Sequence, residues 1–394
     1  MWIEISDDIQ EGLDSVSSSL EKKSIAINSI LRSMLEGKHI IYISRNLLNK
    51  FLSMNYIDQT NKKYLHWVRE KYVDLYSLKD RIISKIIISN DAKKIEVSFI
   101  KESEGKVIYK VPLEWFFCVN TTKFLTENET DYQLFLSISN YINRLNNFNN
   151  VIGINLDNDA SHGANVVTKI GMSAEKHIVL CMLDSDRDMK DSGTGDTYKG
   201  ANKQYKKLKK NNIVHLCSLI SREKENLFPP DFYMLVCSNN EELKILSVLN
   251  NFRKEGDIIR FFDIKDGIKY KKYKDKRWSS YYAEVLKSLQ EANIVAFPDS
   301  DDEDFICVQG IGSNMCDSLC TILFDNCDKA RKELNKLNIS ADNINRIIEI
   351  RRELNKKLPE YIYNEWERIY SYLFSWGCCI SEKYQPYYMI GDNH

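Results

Sequence analysis

The sequence predicts an α/β fold, with a mostly parallel sheet flanked by helices. Between residues of about 120 and 237, short apolar runs alternate with amphipathic segments, which is the pattern of strand–helix–strand units. Of the 394 residues, 43% are hydrophobic and 28% are charged, so the chain can bury a core and is not disordered throughout. At roughly 100–200 residues per domain, this length favours about two or three domains.

Three regions of the chain differ in their pattern. Residues 1–119 form an N-terminal α+β region, which opens with helical periodicity and ends in the strand-like segments Ile95–Ile100 and Lys106–Val111. A glycine between those two segments indicates a hairpin. Residues 120–237 form the α/β domain, and residues 238–394 form a mostly helical C-terminal region with a basic-aromatic stretch.

Four segments of the central region have the apolar composition of strands. They are Lys123–Thr126, Val151–Leu156, His177–Leu183 and Ile213–Ser218. Helices are predicted between them, from Asp131 to about Leu145 and from Gly195 to about Lys210, and closing helices from about Asp328 to Phe374.

Charge and hydropathy exclude several classes of protein. Lys and Arg total 55 against 56 Asp and Glu, a net charge of -1, which excludes a uniformly basic nucleic-acid binder but not a local basic patch. No apolar run approaches the roughly 20 residues of a membrane-spanning helix, and the acidic N-terminus does not resemble a secretory signal. We therefore expect a soluble, cytoplasmic protein with no membrane partner.

The strongest local feature is an apolar strand, His177–Leu183, that ends in Asp184, Asp186 and Asp188. Ligands of open parallel sheets bind at the carboxyl ends of strands, where loops and helix N-termini converge. Alternate residues of an extended segment point the same way, so we expect Asp184 and Asp186 to project together. Carboxylates so close repel unless a cation intervenes, and oxygen donors of this kind suit Mg²⁺ or Mn²⁺. A solvated turn after a core strand is the alternative for this segment.

Two weaker acidic clusters follow other predicted strands. Glu127 closes the first strand, and Asp131 opens the next helix, which Thr130 or Asp131 is expected to cap. Acids in a first helical turn also complement the helix dipole without any further role. Glu223 and Glu225 follow the fourth strand, in a segment that reads equally well as a charged loop.

The combination of clusters is more informative than any one of them. Three strands of one parallel sheet would deliver Glu127, the Asp184/Asp186 pair and Glu225 to the same edge. The sequence therefore predicts a metal-binding acidic site at that edge.

This ordered set of acids resembles the Toprim domain, which topoisomerases, primases and OLD-like nucleases share. The resemblance covers residues of about 122–235. Family members carry a glutamate after the first strand, often as E-G-x-x-D/E, and a D-x-D after a later one. Glu127-Asn-Glu-Thr-Asp131 is similar to the former, with Asn128 in place of the usual glycine, and Leu183-Asp-Ser-Asp186 to the latter.

Two further segments are similar to parts of particular Toprim proteins. Arg222-Glu-Lys-Glu-Asn226 resembles a segment of the OLD-like and phage-defence (PARIS-type effector) proteins, which carries a further acid. Phe261-Phe-Asp-Ile-Lys-Asp-Gly267 loosely resembles a stretch that follows the domain in some relatives.

The resemblance implies a Toprim-like sheet and a Mg²⁺-dependent nuclease that hydrolyses phosphodiester bonds in DNA or RNA. It also implies an antiphage defence effector that works with a separate ATPase, and the chain itself has no GxxxxGK[ST] segment. Asp184 and Asp186 are expected to be metal ligands, Glu127 a ligand or general base. The expected catalytic residues are Glu127, Asp131, Asp184, Asp186 and Glu225, and the expected metal ligands are Glu127, Asp184, Asp186, Asp188 and Glu223.

Two basic stretches are candidates for nucleic-acid contacts, because phosphate neutralisation combined with stacking gives sequence-tolerant binding. One is a lysine-rich helix, and the other interleaves cations with aromatic residues between Ile268 and Trp278. The expected contacts are Lys206, Lys207, Lys269, Lys271, Lys272, Lys274 and Arg277. Exposed lysine-rich faces without a ligand are the alternative, and the acidic run Asp299–Asp304 is expected to be a solvated loop.

A different enzyme class remains open. An apolar strand followed by D-x-D also serves metal-dependent nucleotide-sugar transferases and phosphatases. A glycosyltransferase would use Asp184 and Asp186 for Mn²⁺ and a diphosphate, without Glu127 or the lysine-aromatic stretch. A haloacid-dehalogenase-type phosphatase has Thr or Val at the position of Asp188. The N-terminal and C-terminal regions are candidates for contacts with a partner or with a second copy of the chain, as a homo-oligomer.

Overall fold

The computed structural model of the chain describes residues 1–11, 18–118, 120–148, 151–161, 163 and 165–381. The described residues form two compact units. The first comprises residues 1–182, 200–217 and those from 368 onward, and the second comprises residues 183–199 and 218–367. Residues 12–17 and 119 of the predicted N-terminal region and residues 382–394 of the predicted C-terminal region lie outside the described residues.

The strands are short. They are β1 (Trp2–Ile5), β2 (Ile40–Ile43), β3 (Ser84–Ile88), β4 (Glu96–Lys101), β5 (Lys106–Val111), β6 (Lys123–Leu125), β7 (Ile152–Ile154), β8 (Asp157–Asn158), β9 (Val179–Leu183), β10 (Val214–Ser218), β11 (Gly267–Lys269), β12 (Ile306–Gln309) and β13 (Cys378–Ile380).

The helices range from one turn to five. They are α1 (Ser18–Leu35), α2 (Arg45–Ser53), α3 (Gln59–Glu70), α4 (Tyr72–Ser77), α5 (Glu129–Leu145), α6 (Asn165–Ala174), α7 (Asp196–Leu208), α8 (Pro230–Val236), α9 (Asn240–Asn251), α10 (Gly256–Ile259), α11 (Tyr270–Lys274), α12 (Lys276–Tyr281), α13 (Ala283–Glu291), α14 (Asn314–Phe324), α15 (Cys327–Lys336), α16 (Ala341–Arg352), α17 (Leu354–Lys357) and α18 (Glu360–Gly377).

The first unit contains a five-stranded sheet in the order β2-β1-β3-β5-β4. Strand β1 runs parallel to β2 and β3, β3 runs parallel to β5, and β4 is antiparallel to β5. The β4–β5 hairpin confirms the prediction, and Gly105 takes the positive φ of 70° that its turn requires. Strands β1, β2 and β3 were not predicted, because apolar runs this short have no periodicity that separates strand from helix.

A second sheet of the first unit has the order β10-β9-β6-β8. Strand β6 runs parallel to both β9 and β8, and Leu125 lies opposite Cys181. All five residues of β9 are buried, as expected of a parallel strand that is covered on both faces. The α/β class with a mostly parallel sheet is therefore confirmed.

One predicted strand belongs elsewhere. Val151–Leu156 was expected in the parallel sheet, but β7 pairs antiparallel with β13, with Ile154 opposite Cys378. The two-residue β8 takes the position beside β6 instead. A backbone hydrogen bond of 2.8 Å from Asn155 N–H to the Gly377 carbonyl holds the segment against β13, so the prediction of its sheet was wrong.

The second unit is mostly helical, as the sequence predicts for residues 238–394, although the last part of that predicted region, from Arg368 onward, belongs to the first unit. It also contains one antiparallel pair, β11–β12, that was not predicted. The basic-aromatic stretch follows β11 directly and forms the short helices α11 and α12. Among the helices that the structure describes, none combines the length and the apolar character needed to cross a membrane.

A buried histidine on β10 makes the first unit sensitive to acid. The ring of His215 stacks on Tyr372 at 5.4 Å and on Trp376 at 6.0 Å, and its Nδ1 atom is buried without a hydrogen-bond partner. Burial lowers the pKa of His215 from 6.5 to about 4. The charge of Glu102 opposes this shift, and the charge of Arg368 adds to it. The folded protein therefore holds this ring neutral.

We predict that His215→Phe reduces the acid sensitivity of folding. Because the unfolded chain takes up a proton near pH 6.5 and the folded chain only near pH 4, His215 costs stability as the pH falls through this window. From pH 7 to pH 5, urea titrations should show the wild type losing about 2 kcal/mol more unfolding free energy than the variant. His66→Gln, at an exposed position, is the control and should behave like the wild type. Equal losses in the wild type and His215→Phe would contradict a neutral His215.

Candidate functional site

The acidic loop after β9 is fixed by its backbone. The N–H groups of Ser185 and Asp186 both donate to the carbonyl of Arg222, at 3.0 and 2.9 Å. The Ser185 hydroxyl donates to the carbonyl of Ser221 at 2.7 Å, and Ser185 is fully buried. The residue between the two aspartates therefore anchors the loop, while Asp184 and Asp186 keep partial exposure.

Asp186 has a left-handed backbone conformation, with a φ of 50°. Aspartate tolerates this conformation better than most residues, and such conformations cluster at functional sites. Gly195 packs so closely on it that a Cβ there would lie 2.1 Å from Asp186 Oδ2, so only glycine fits. Since the segment is not extended at Asp186, strand alternation is not a valid reason for Asp184 and Asp186 to project together.

The guanidinium of Arg222 is the centre of an ion-pair cluster in the second unit. Its Nε donates to Glu223 at 2.8 Å, its Nη2 to Asp263 at 2.7 Å, and its Nη1 to Asp188. The Arg222 side chain is 14% exposed, so these three pairs are largely shielded from water. A planar group with five donors suits several carboxylates at once, which a lysine would not.

Two lysines complete this cluster, which we call the Arg222 cluster: Arg222, Asp188, Glu223, Asp263, Lys265 and Lys272. Lys265 pairs with Glu223 at 3.3 Å, and Lys272 pairs with Asp188. Three cations thus balance three carboxylates. Burial alone would raise the pKa of Asp188, but the hydrogen bond from Lys272 and the charge of Arg222 lower it. Burial raises the pKa of Asp263 to about 6 against the opposing charge of Arg222.

The segment after Glu223 is buried and tied to its surroundings. Asn226 accepts a hydrogen bond from the Glu223 N–H at 3.2 Å and donates to the carbonyls of Ile259 and Phe262 at 2.9 and 2.8 Å. Glu225 is 1% exposed, and its Oε1 atom has no hydrogen-bond partner in the described structure. Burial, and then the negative charge of Glu223, raise the pKa of Glu225 to about 7. The same two causes raise the pKa of Asp186.

Glu127 and Asp131 belong to the first unit, between β6 and α5. Asn128 is the N-cap of α5, because its side chain accepts a hydrogen bond from the Asp131 N–H at 3.0 Å. The expectation that Thr130 or Asp131 caps this helix is therefore wrong. Asp131 is 2% exposed, and the charge of Glu127 contributes to a raised pKa of Cys181, which burial mainly causes. Leu125 lies opposite Cys181 in the parallel β6–β9 pair, so Glu127 follows β6 in the direction in which β9 also ends.

The predicted nucleic-acid contacts divide into three groups. Lys206 and Lys207 are exposed on α7 in the first unit. Lys272, in the second unit, is engaged by Asp188 and belongs to the Arg222 cluster. The remaining cations lie on the exposed side of α11 and α12 and the end of β11, and they are Lys269, Lys271, Lys274 and Arg277.

The acidic residues fit Mg²⁺ or Mn²⁺ in donor chemistry but not in grouping. All are oxygen donors, and the buried, unpartnered oxygen of Glu225 is the kind of atom that a cation would satisfy. In the part of the chain that the structure describes, however, no three Asp, Glu, His or Cys side chains are placed to hold a metal ion. Asp188 and Glu223 would have to exchange lysine and arginine for the metal.

Three residues of the cluster were missed as site residues: Arg222, Asp263 and Lys265. Arg222 is the first residue of the Arg222-Glu-Lys-Glu-Asn226 segment, of which sequence reasoning used only the acids. Asp263 and Lys265 lie in the Phe261–Gly267 stretch. Its loose resemblance to a segment of other Toprim proteins implies no role for either residue. The signal available in the sequence was an arginine directly beside the acids Glu223 and Glu225.

Comparison of this chain with protein-family models, curated proteins and solved structures gives no match.

We predict that Arg222→Met destabilises the protein by about 3–5 kcal/mol, because removing one partner leaves buried carboxylates without their cation. Chemical denaturation with a fluorescence readout would measure this change. Arg331→Met is the matched control, since Arg331 is exposed on α15, and it should change the unfolding free energy by no more than about 0.5 kcal/mol. A similar small effect for both variants would show that the Arg222 cluster does not hold the unit together.

Proposed function

We propose that this protein is a Mg²⁺-dependent nuclease of the Toprim type, which hydrolyses phosphodiester bonds in DNA or RNA. One observation carries the proposal most directly. A buried parallel strand ends in Asp184-Ser-Asp186, and the loop is locked by Arg222 and Gly195 with Asp186 in a left-handed conformation. A strained, rigid acidic loop at a strand's carboxyl end is typical of a preorganised site.

Each acidic residue would have its own role in the proposed site. Asp184 and Asp186 would hold the metal ion, Glu127 would be a further ligand or general base, and Asp131 and Glu225 would support them. When bound, such an ion stabilises charge that develops on phosphate oxygens and acidifies a water molecule. The Arg222 cluster would keep the loop in position, since Arg222 bonds both to the backbone of Asp186 and to the side chain of Asp188.

The basic-aromatic stretch supports a nucleic-acid substrate. Lys269, Lys271 and Lys274 are between 39% and 48% exposed, and the carboxylates with which they pair are exposed as well. Tyr270 and Tyr273 interleave with these lysines along the chain. Cations that neutralise phosphates beside rings that stack on bases form a sequence-tolerant binding surface.

The resemblance also leads us to propose a separate ATPase as partner and antiphage defence as the setting. Both proposals are testable apart from catalysis. Co-purification of a tagged chain with the product of a neighbouring ATPase gene would support the partner. Unchanged phage sensitivity in cells that express the chain together with that ATPase would remove the defence role.

We predict that Asp184→Ala abolishes metal-dependent cleavage without unfolding the protein. The purified chain would be incubated with plasmid, linear duplex, single-stranded DNA and total tRNA, each with Mg²⁺, Mn²⁺ or EDTA. The thermal midpoint of Asp184→Ala should stay nearly the same, because the hydrogen bonds of Ser185 and Asp186 to Ser221 and Arg222 hold the loop.

Asp196→Ala is the matched control for this assay, since the Asp196 side chain is 98% exposed at the start of α7. It should cleave like the wild type. Cleavage that survives Asp184→Ala or EDTA would contradict the proposed site. A collapse of the thermal midpoint would instead assign Asp184 a structural role.

We predict that replacing Lys269, Lys271 and Lys274 together by Gln weakens nucleic-acid binding. Each lost phosphate contact reduces the slope of log K against log salt by about 0.7 for single strands, so three contacts amount to about 2. Fluorescence anisotropy of a labelled single strand between low and moderate salt measures this slope. The control replaces Lys329, Lys332 and Lys336 of α15, which are exposed. Equal slopes for both triple variants would remove the stretch from the binding surface.

A further inference from the structure

An acidic segment lies along the predicted nucleic-acid surface. We call residues 297–305 the acidic strap; its five carboxylates belong to Asp299, Asp301, Asp302, Glu303 and Asp304. Asp304 Oδ1 pairs with the ammonium groups of both Lys269 and Lys271, at 3.4 Å each. Lys274 pairs with Asp301 at 2.7 Å and with Glu303 at 3.4 Å. The strap therefore occupies all three lysines that we assign to phosphate binding.

Backbone bonds fix the strap in this position. The N–H of Tyr270 donates to the Phe305 carbonyl at 2.8 Å, and the N–H of Lys271 donates to the Glu303 carbonyl at 3.0 Å. The strap then continues into β12, which pairs with β11 immediately before the lysines. The β11–β12 hairpin therefore places the carboxylates of the strap beside the lysines.

The strap also covers the aromatic residues of the surface. The ring of Phe297 meets Tyr273 edge-on at 5.3 Å and Tyr270 edge-on at 6.4 Å, although Phe297 itself is 53% exposed. About half of the Phe297 side chain therefore remains in contact with water, unlike a core residue. Its ring contacts the two tyrosines that we assign to base stacking.

We infer that the acidic strap is an internal mimic of nucleic acid that competes with the substrate for this surface. The inference rests on the proposed function. Carboxylates pair with Lys269, Lys271 and Lys274 as phosphates would, and the Phe297 ring lies edge-on against the two tyrosines that we assign to base stacking. A strand that binds here must first displace the strap, so the surface discriminates against short or weakly charged ligands.

The strap is built so that a polyanion can displace it. Its acids are between 64% and 75% exposed in these pairs, and exposed ion pairs are weak and screened by salt. No regular secondary structure spans residues 293–305, so the acidic side chains can turn away from the lysines while the backbone bonds of Glu303 and Phe305 remain in place. A nucleic acid offers a continuous row of phosphates and releases counterions when it binds.

The test neutralises the strap without changing its shape. The triple variant Asp301→Asn, Glu303→Gln and Asp304→Asn should bind a labelled 20-nucleotide single strand about tenfold more tightly than the wild type at moderate salt, because three lysines are freed for phosphates. Asp304→Asn alone, which frees Lys269 and Lys271, should give a smaller gain in the same direction. Anisotropy titrations measure both.

A charge-matched control separates the strap from the general effect of three fewer negative charges. Asp328→Asn, Asp342→Asn and Glu349→Gln remove two aspartates and one glutamate from exposed positions on α15 and α16. An equal gain for strap and control variants would overturn the inference. Unchanged affinity in the strap variant, with weaker binding in the lysine variant, would also overturn it but leave the proposed function standing. No binding by any of these proteins would overturn both.

Discussion

The second unit depends on the interactions of one buried arginine. Arg222 joins Asp188, which lies 34 residues earlier, to Asp263, which lies 41 residues later, and also holds its neighbour Glu223. Its carbonyl accepts two backbone N–H groups of the loop after β9. The main chain of Arg222 thus fixes the loop, and its side chain neutralises the neighbouring carboxylates. Several acids can therefore lie close together without their mutual repulsion opening the structure.

This arrangement divides the acids into two kinds. Asp188 and Glu223 are neutralised by Arg222, Lys265 and Lys272 and hold the loop. Burial, and then the negative charge of Glu223, raise the pKa values of both Asp186 and Glu225. Groups whose charge is unfavourable in the folded protein are those that gain most from a bound cation.

A net charge near zero conceals strong local pairing in this chain. The basic-aromatic stretch is compensated by the acidic strap, and Asp188 and Glu223 are compensated by Arg222, Lys265 and Lys272. One pairing is exposed and the other is largely shielded from water. Water screens the ion pairs between the strap and the lysines but not those of the Arg222 cluster. Only the strap's ion pairs are therefore suited to exchange with a polyanion.

Features that depend on neighbouring residues were predictable from the sequence. The β4–β5 hairpin, the buried β9 that ends in Asp184, and the helix α5 follow from apolar patterns and turn residues. The basic-aromatic stretch was also visible as a run of residue types. These signals are local, so a single sequence contains them.

Tertiary structure alone decided the rest. Nothing in the pattern of Val151–Leu156 shows that β7 pairs with β13, because strand pairing depends on which edge is within reach. The left-handed backbone of Asp186 results from the bonds to Arg222 and the close approach of Gly195. The sequence by itself determined which chemical groups follow β9 and β10, but only the fold decided which cation neutralises which acid, since such pairs join residues that are tens of positions apart.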